Sequence, residues 1–141
     1  DFRGSVLVLN WWGSGCTPCI FEIPELNRLA SLFQDQVGVS FTINPSTMEI
    51  IESKSQLVQF LSINPFDNYD IISKIIKDND FKYNHFTFEK ELSNKLGVGP
   101  VPQNMIIDKD GILRYHSSGF TLGKDDVLFD EMNAVIKELL N

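Results

Sequence analysis

The amino-terminal part of the chain alternates between an apolar run and a helical pattern. Residues 5–11 are almost all apolar and rich in β-branched side chains, which is typical of a buried strand. A Gly-Ser-Gly break follows at 13–15. Apolar residues then recur every three or four positions from Ile20 to Phe33, which predicts an amphipathic helix. Pro24 lies inside this helix and is expected to bend it, because proline removes a backbone hydrogen bond.

A second strand is predicted at Val37–Ile43, and residues 45–97 are predicted to be mostly helical. Ser53 and Gln56 match a capping box ahead of the first of three apolar stripes. The stripes are Leu57, Phe60 and Leu61; Ile72, Ile75 and Ile76; and Phe88, Leu92 and Leu96. Thr87 is the predicted N-cap of the last helix and Gly97 its C′ residue. The segment 81–86 fits either a loop or a strand.

The carboxyl-terminal part predicts a β-hairpin followed by a helix. Two apolar segments, 105–107 and 112–115, flank an Asp-Gly turn. The closing helix carries Leu128, Met132, Val135, Ile136 and Leu139 at helical spacing, and Asp125 and Asp126 favour its positive N-terminus. The order of elements predicts an α/β sandwich with parallel and antiparallel strands in one sheet.

Composition limits the classes of function. A chain of 141 residues fits one domain with a single core. Its net charge of −7 disfavours binding to nucleic acid or anionic lipid. No apolar run approaches the roughly 20 residues of a membrane span. The chain begins without methionine, so we expect it to be part of a longer protein whose export signal or anchor lies outside this sequence.

The chemistry of the chain centres on its only two cysteines, Cys16 and Cys19. They follow a strand and open a helix, where free backbone N–H groups stabilise a negatively charged sulfur. The thiolate is the attacking species in disulfide exchange, and a second cysteine one turn later can resolve the mixed disulfide. Cys16 is therefore the predicted exposed nucleophile and Cys19 the predicted buried resolving thiol.

Three alternatives to a redox pair remain open at this point. A zinc half-site would need two further ligands, and His85 and His116 are the only histidines. A purely structural disulfide would gain little from closing so short a loop. A buried, reduced pair without activity is the third alternative.

Three separated motifs resemble the thioredoxin superfamily, and within it the TlpA/ResA-like thiol–disulfide oxidoreductases. They are the segment 6–19 with the following Glu-Ile-Pro-Glu-Leu at 22–26, the Leu-Gly-Val-Gly-Pro-Val-Pro of 96–102, and 105–111 with its Asp-Gly turn. The resemblance implies a thioredoxin-like three-layer sandwich, with a central mixed sheet and helices on both faces. It covers nearly all of 1–141, treated as one domain.

The resemblance also implies site residues and partners. Cys16 and Cys19 match the catalytic redox pair, which works without any cofactor beyond its own disulfide. The implied substrate-binding positions are Trp12, Thr17, Pro18, Val101 and Pro102, with Pro102 in a cis peptide bond that presents the Val101 backbone. Partners would be protein thiols or disulfides and an upstream dithiol donor. The family works outside the cytoplasm, in the periplasm or cell envelope.

Several positions depart from the family pattern. Gly15 replaces a common tryptophan, which leaves Cys16 more open, and Asn10 stands where cytoplasmic thioredoxins carry a buried carboxylate. Glu49, in the loop after the second predicted strand, is one candidate for the missing acid; water is the other. The family's usual N-terminal hairpin is expected to lie outside this sequence, before the first predicted strand. The stretch of about 50–83 is longer than usual and is expected to be a helical insert.

The direction of electron flow and the rival functions follow from the same residues. No His, Lys or Arg occurs among residues 10–20, which favours a modestly acidic thiol and a reducing role. A thiol peroxidase would need threonine where Gly13 stands. A non-enzymatic module could use the groove near Trp12, Val101 and Pro102 only to bind a partner protein. The aromatic residues Phe81, Tyr83, Phe86 and Phe88 fit a strand core or a protein-docking surface.

Overall fold

The computed structural model describes residues 2–87, 90–120, 123 and 126–141. Its strands are β1 (Val6–Trp11), β2 (Val37–Ile43), β3 (Ile50–Gln56), β4 (Val58–Asn64), β5 (Asn84–Thr87), β6 (Gln103–Ile107) and β7 (Leu113–Ser118). Its helices are α1 (Thr17–Phe33), α2 (Tyr69–Asp78), α3 (Lys90–Lys95) and α4 (Val127–Leu140). Within these ranges no helix combines the length and apolar character that crossing a membrane requires.

A mixed sheet of five strands forms the centre of the fold, in the order β5-β4-β1-β6-β7. β1 pairs in parallel with β4, and β4 in parallel with β5. β6 runs antiparallel to β1 and β7 antiparallel to β6, which confirms the predicted carboxyl-terminal hairpin. The carboxyl ends of β1 and β4 therefore lie side by side, and the cysteine motif begins at that edge.

Helices cover both faces of this sheet, so the predicted three-layer sandwich is confirmed. Val6 and Val8 of β1 face a core built with α1 and α4, whose members include Leu26, Leu29, Met132 and Ile136. The alternate residues Leu9 and Trp11 face the opposite core, against which Leu92 of α3 packs. The alternation of β1 side chains between the two cores is the ordinary geometry of a strand.

The predicted helical insert is wrong for residues 50–64. β3 and β4 are strands, and the apparent capping box of Ser53 and Gln56 lies within β3. Almost every residue of β4 is buried, because β4 lies between β1 and β5 in the central sheet. A short apolar run buried on both faces has no period that separates a strand from a helix. Helical structure in the insert is confirmed only for α2.

The predicted strand at Val37–Ile43 is confirmed as β2, but it lies outside the central sheet. It pairs only with β3, in a separate two-stranded antiparallel sheet. The insert at about 50–83 therefore contributes β3 to the separate hairpin, β4 to the central sheet, and the helix α2 that follows β4.

The predicted helix boundaries can be compared with the ends of α2, α3 and α4. Gly97 follows α3 with a φ of +64°, as a C′ glycine should. Thr87 ends β5, and its predicted capping role falls next to residues 88 and 89, which lie outside the described residues. Asp126 precedes α4 but makes no side-chain capping hydrogen bond. Phe88 and Asp125 lie outside the described residues. The start of α2, which the sequence signalled weakly, is capped by Asn68, whose side chain accepts the Ile71 N–H at 3.0 Å.

Candidate active site

Cys16 and Cys19 form a disulfide at the N-terminus of α1. Cys16 is the N-cap residue, and its Sγ accepts a hydrogen bond from the Cys19 N–H at 3.2 Å. A sulfur in this position is stabilised as a thiolate by the free amides and dipole of the helix. Cys16 is partly exposed, whereas Cys19 is only 1% exposed, as predicted.

The residues around Cys16 leave it open to large partners. Thr17 and Pro18 are exposed, and Pro18 lies in the first helical turn, where its missing N–H leaves no bond unmade. Nothing lies within 4 Å of the position that a side chain at Gly15 would take. A substrate can therefore approach the Cys16 sulfur without meeting a side chain at position 15.

Trp12 does not face a substrate, which corrects its predicted role in the binding groove. Its side chain is 1% exposed and packs in one cluster with Cys19 and Ile72. The family motif predicts an aromatic residue at this position but does not predict whether its ring faces the solvent or the core. The ring supports the disulfide from beneath.

The segment before β6 lies against the same cluster. Val101 packs against it, and the Val101–Pro102 peptide bond is cis, as the resemblance implies. Pro102 is buried, and its carbonyl accepts the Gly119 N–H at 2.9 Å. Among the described residues, none hydrogen-bonds to the main chain of Val101. Its N–H and C=O are therefore available to an added strand.

Glu22 is a site residue that the sequence analysis missed. It lies three positions after Cys19 on the buried side of α1, fully removed from solvent. Its carboxylate accepts hydrogen bonds from the side-chain amides of Asn10 (2.7 Å) and Asn104 (3.1 Å). Burial raises the pKa of Glu22 to about 8, against the opposing effect of the two amides and with a smaller contribution from Glu25.

A local signal for Glu22 exists in the sequence. Positions 19, 22, 23 and 26 recur at helical spacing, so a glutamate at 22 falls on the apolar side of α1. A charged residue on that side is rarely buried without a partner or a purpose. The polar residue at position 10 of the preceding strand marks where its partner lies.

Glu49, the predicted candidate for the missing acid, is not part of this site. It lies in the connection between β2 and β3, exposed, with its carboxylate accepting a hydrogen bond from the Thr47 hydroxyl at 3.0 Å. The prediction placed it after the strand that follows α1, but that strand belongs to the separate hairpin. β4 is the neighbour of β1, so the loop after β4 reaches the site.

Asp67, in the loop after β4, holds the loop that precedes Cys16. Its carboxylate accepts hydrogen bonds from the Ser14 N–H at 2.7 Å and from the Ser14 hydroxyl, and from the Asn64 amide at 2.7 Å. Asn64 in turn accepts the N–H groups of Phe66 and Asp67 at 3.0 Å. Partial burial would raise the pKa of Asp67, but the bonds from Ser14 and Asn64 outweigh it and lower the pKa.

A polar chain fixes the ring of Trp12. Its indole N–H donates to the Ser62 hydroxyl at 3.3 Å, and that hydroxyl bonds the Nδ1 atom of His85. Burial lowers the pKa of His85 to about 4, so its imidazole is neutral at pH 7, and its tautomer decides whether Nδ1 or the Ser62 hydroxyl is the donor in this bond. The Phe81 ring centroid lies 5.3 Å from that of Trp12, with the rings tilted, and 5.3 Å from that of Tyr83, with the rings stacked. Tyr83 is buried in the core, and the partly buried Phe81 packs against it. Phe86 belongs to β5, and Phe88 lies outside the described residues.

Metal ligands do not gather in the part of the chain that the structure describes. No group of three or more His, Cys, Asp or Glu side chains there is placed to hold an ion. His85 bonds Ser62, and His116 bonds the Gln103 side chain at 2.9 Å. The two cysteines are bonded to each other.

Comparisons with known proteins agree with this arrangement. The model of the AhpC/TSA family matches residues 1–116. The thiol-disulfide oxidoreductase ResA of Geobacillus thermodenitrificans is 28% identical over 127 residues, which cover 90% of this chain and 62% of ResA. The chain thus spans somewhat under two thirds of the length of that relative.

Two solved structures share the fold. One is the thioredoxin domain of a thiol-disulfide oxidoreductase from Bacteroides vulgatus, with a TM-score of 0.71, 15% identity, and coverage of 96% of this chain and 82% of that one. The other is a secreted disulfide oxidoreductase of Mycobacterium tuberculosis, with a TM-score of 0.69, 16% identity, and coverage of 98% and 84%. At these identities the likeness establishes a thioredoxin-like fold.

Proposed function

Because the chain belongs to the AhpC/TSA family, we propose that it is a thiol–disulfide oxidoreductase that works through Cys16 and Cys19. The observation that carries the proposal is a partly exposed sulfur at a helix N-terminus, bonded to a buried sulfur one turn later. This pairing separates the two roles that disulfide exchange requires.

The reaction proceeds from the reduced pair through a mixed disulfide. The Cys16 thiolate attacks one sulfur of a substrate disulfide, and the other substrate sulfur leaves as a thiolate that takes up a proton. Cys19 then loses its proton and attacks the Cys16 sulfur, which releases the second substrate sulfur. The Cys16–Cys19 disulfide forms as the substrate disulfide is reduced to two thiols.

Glu22 is the proposed acceptor of the Cys19 proton. An acid with a pKa of about 8 matches the ordinary thiol pKa of about 8.5, so a proton passes between the two groups at little cost in free energy. The position of Glu22 one turn after Cys19, on the same buried side of α1, supports this role. It replaces Glu49 in the account of the missing acid.

The proposed substrates are protein disulfides in extended segments. Such a segment would add a strand to the unpaired main chain of Val101, next to Pro102, while Thr17 and Pro18 border the sulfur. An upstream dithiol donor would then reduce Cys16–Cys19 again. Similarity to a secreted oxidoreductase supports a location outside the cytoplasm.

The proposed direction is reduction of the substrate. Strong oxidants stabilise the thiolate with added positive or polar groups, and residues 10–20 contain no His, Lys or Arg. Reductants of this class have reduction potentials of about −270 mV and strong oxidants of about −120 mV. Equilibration of Cys16–Cys19 with a glutathione buffer measures the potential, and a value near the oxidant end would reverse the direction while keeping the class.

Insulin reduction by dithiothreitol tests the proposal, with Cys16→Ala and Cys19→Ala compared with the wild type. We expect both substitutions to abolish turnover and Cys19→Ala alone to accumulate mixed disulfides, because only it keeps the attacking thiol. Unchanged turnover in Cys16→Ala together with loss of partner binding would favour a docking module. Rapid thiol-dependent consumption of hydrogen peroxide would favour a peroxidase.

A further inference from the structure

The hairpin formed by β2 and β3 carries several exposed apolar side chains. Phe41 is 67% exposed, Ile43 62% and Ile50 73%. Every residue of β3 is exposed, and β2 and β3 pair only with each other. Two strands alone are marginally stable in water, so a hairpin of this kind normally needs a surface to pack against.

Strand alternation places most of the apolar residues on one face of the hairpin, whereas Ile51 lies on the other face, paired with Thr42. Directly paired residues share a face, and the pairs on this face are Val37 with Gln56, Val39 with Lys54, Phe41 with Glu52, and Ile43 with Ile50. We call these eight residues the hairpin face. The other face includes Gly38, whose missing side chain leaves room for Leu57 at the base of the hairpin.

The hairpin face has an apolar half and a charged half. Its β2 half is entirely apolar. Its β3 half places Glu52 and Lys54 two positions apart, with the Lys54 Nζ 3.6 Å from a Glu52 carboxylate oxygen. Both side chains of this pair are more than half exposed, so the pair is open to a second set of charges.

The charge pattern is complementary to itself. A two-fold axis that crosses the strands between positions 52 and 54 sets Lys54 of one copy over Glu52 of the other, and the reverse. The same axis sets Phe41 over Val39 of the second copy. The segment 37–56 contains two acidic residues and one basic residue, so only one of the seven net negative charges of the chain lies in the hairpin, and repulsion between two copies is weak at this surface.

We propose that the hairpin face is a two-fold interface between two copies of this chain. The occupant is a second copy because an alternating acid–base pair beside an apolar stripe fits its own image. A partner whose surface carries charges of only one sign would be repelled by either Glu52 or Lys54. The interface contains no residue of the disulfide site, so it stands or falls independently of the redox proposal.

Sedimentation equilibrium of the 141-residue chain, over a range of concentrations, tests the interface by charge exchange. We expect a dimer for the wild type. Glu52→Lys and Lys54→Glu should each weaken dimerisation at least about tenfold, because each places like charges face to face. The double variant E52K/K54E restores the complementary pattern and should recover most of the wild-type affinity.

Two further variants separate the apolar half from general effects. Phe41→Ser should weaken the dimer, whereas Leu32→Ser, at an exposed leucine on α1, should leave it unchanged. Every variant should reduce insulin at the wild-type rate and have the circular dichroism spectrum of the wild type. These two controls test whether each variant folds. The proposal is wrong if the wild type is a monomer at all concentrations. It is also wrong if neither charge reversal weakens the dimer, or if the double variant does not regain the affinity that the single variants lose.

Discussion

Glu22 illustrates how a single buried side chain can connect stability to the redox site. Its carboxyl group is enclosed between α1 and the central sheet, with two asparagine amides as its partners. Because burial holds its pKa near 8, the group keeps its proton at neutral pH, when an exposed glutamate would be ionised. The site thus contains an acid that can give or take a proton near physiological pH.

Replacing Glu22 with glutamine should flatten the pH dependence of stability. The folded pKa of about 8 lies above the ordinary value of 4.5, so the folded chain binds more protons than the unfolded chain between these values. The free energy of unfolding therefore falls as pH rises through this window, by up to about 1.4 kcal/mol per pH unit. Urea unfolding of the oxidised protein at pH 6.5 and 8 measures the slope.

The comparison with Glu22→Gln separates Glu22 from the other buried titrating groups. His85 has a lowered pKa of about 4, so it adds a slope of opposite sign between about 4 and 6.5 that fades above 6.5, and this slope is the same in the wild type and the variant. An equal slope in the wild type and in Glu22→Gln would show that Glu22 is ionised in the folded protein at pH 7.

Single residues divide into those that a local motif predicts and those that depend on topology. The pairing of Cys16 with Cys19 was predicted from their short spacing between a strand and a helix, whereas the cis bond before Pro102 was implied by the family resemblance. Glu49 was assigned wrongly because its role depended on which strand lies beside β1, and local pattern does not contain that information. Trp12 was placed correctly in the chain, but its burial follows from contacts with Ile72, 60 residues later.

At the scale of elements, the loop after β4 braces the loop that carries the cysteines. The brace exists because β1 and β4 are parallel neighbours whose carboxyl ends meet at one edge. Asp67 is the link, since it bonds both the main chain and the side chain of Ser14.

Asp67→Asn should therefore destabilise the protein by about 1–2 kcal/mol at pH 7, because charge-assisted hydrogen bonds are lost at a partly exposed site. The lowered pKa of Asp67 means that this stabilisation is present above its ordinary value of 3.8 and is lost as pH falls. The difference from the wild type should thus shrink towards pH 3. Denaturant unfolding measures it, with the exposed Asp35→Asn as control; an effect of equal size in both variants would contradict the brace.

The hairpin of β2 and β3 should be dispensable for folding and for the redox reaction. Val37 and Gln56 are paired at its base, and the Leu57 N–H donates to the Gln36 carbonyl at 2.9 Å just below them. Replacing residues 38–55 with Asn-Gly would join Val37 to Gln56 through a two-residue turn. We expect insulin reduction at the wild-type rate; loss of activity in a folded variant would show that the hairpin takes part in the reaction.

For the whole molecule, one core face holds α1 and α4 against the sheet and so fixes the helix that carries Cys16. The class of fold could be predicted from the order of elements and the resemblance, because the periodic segments at both ends of the chain are long. The structure of the middle of the chain could not be predicted, because β4 is buried on both faces and its run of apolar residues also fits a helix. The division into a central sheet and a separate hairpin depends on long-range pairing that no local window shows.

Met132→Ala should cost about 2–5 kcal/mol, because this side chain of α4 is completely buried in that core. Val127→Ala, at an exposed position at the start of the same helix, should cost far less. Thermal or urea unfolding compares the two, and similar losses would mean that α4 does not pack on the sheet as described.

The central claim is that Cys16 and Cys19 have different exposure and therefore different roles in disulfide exchange. The most direct test is brief alkylation of the fully reduced protein with iodoacetamide at pH 7, followed by peptide mapping of the two sites. We expect Cys16 to be modified first and Cys19 only after unfolding. Modification of Cys19 first, or of both cysteines at equal rates in the folded protein, would contradict it.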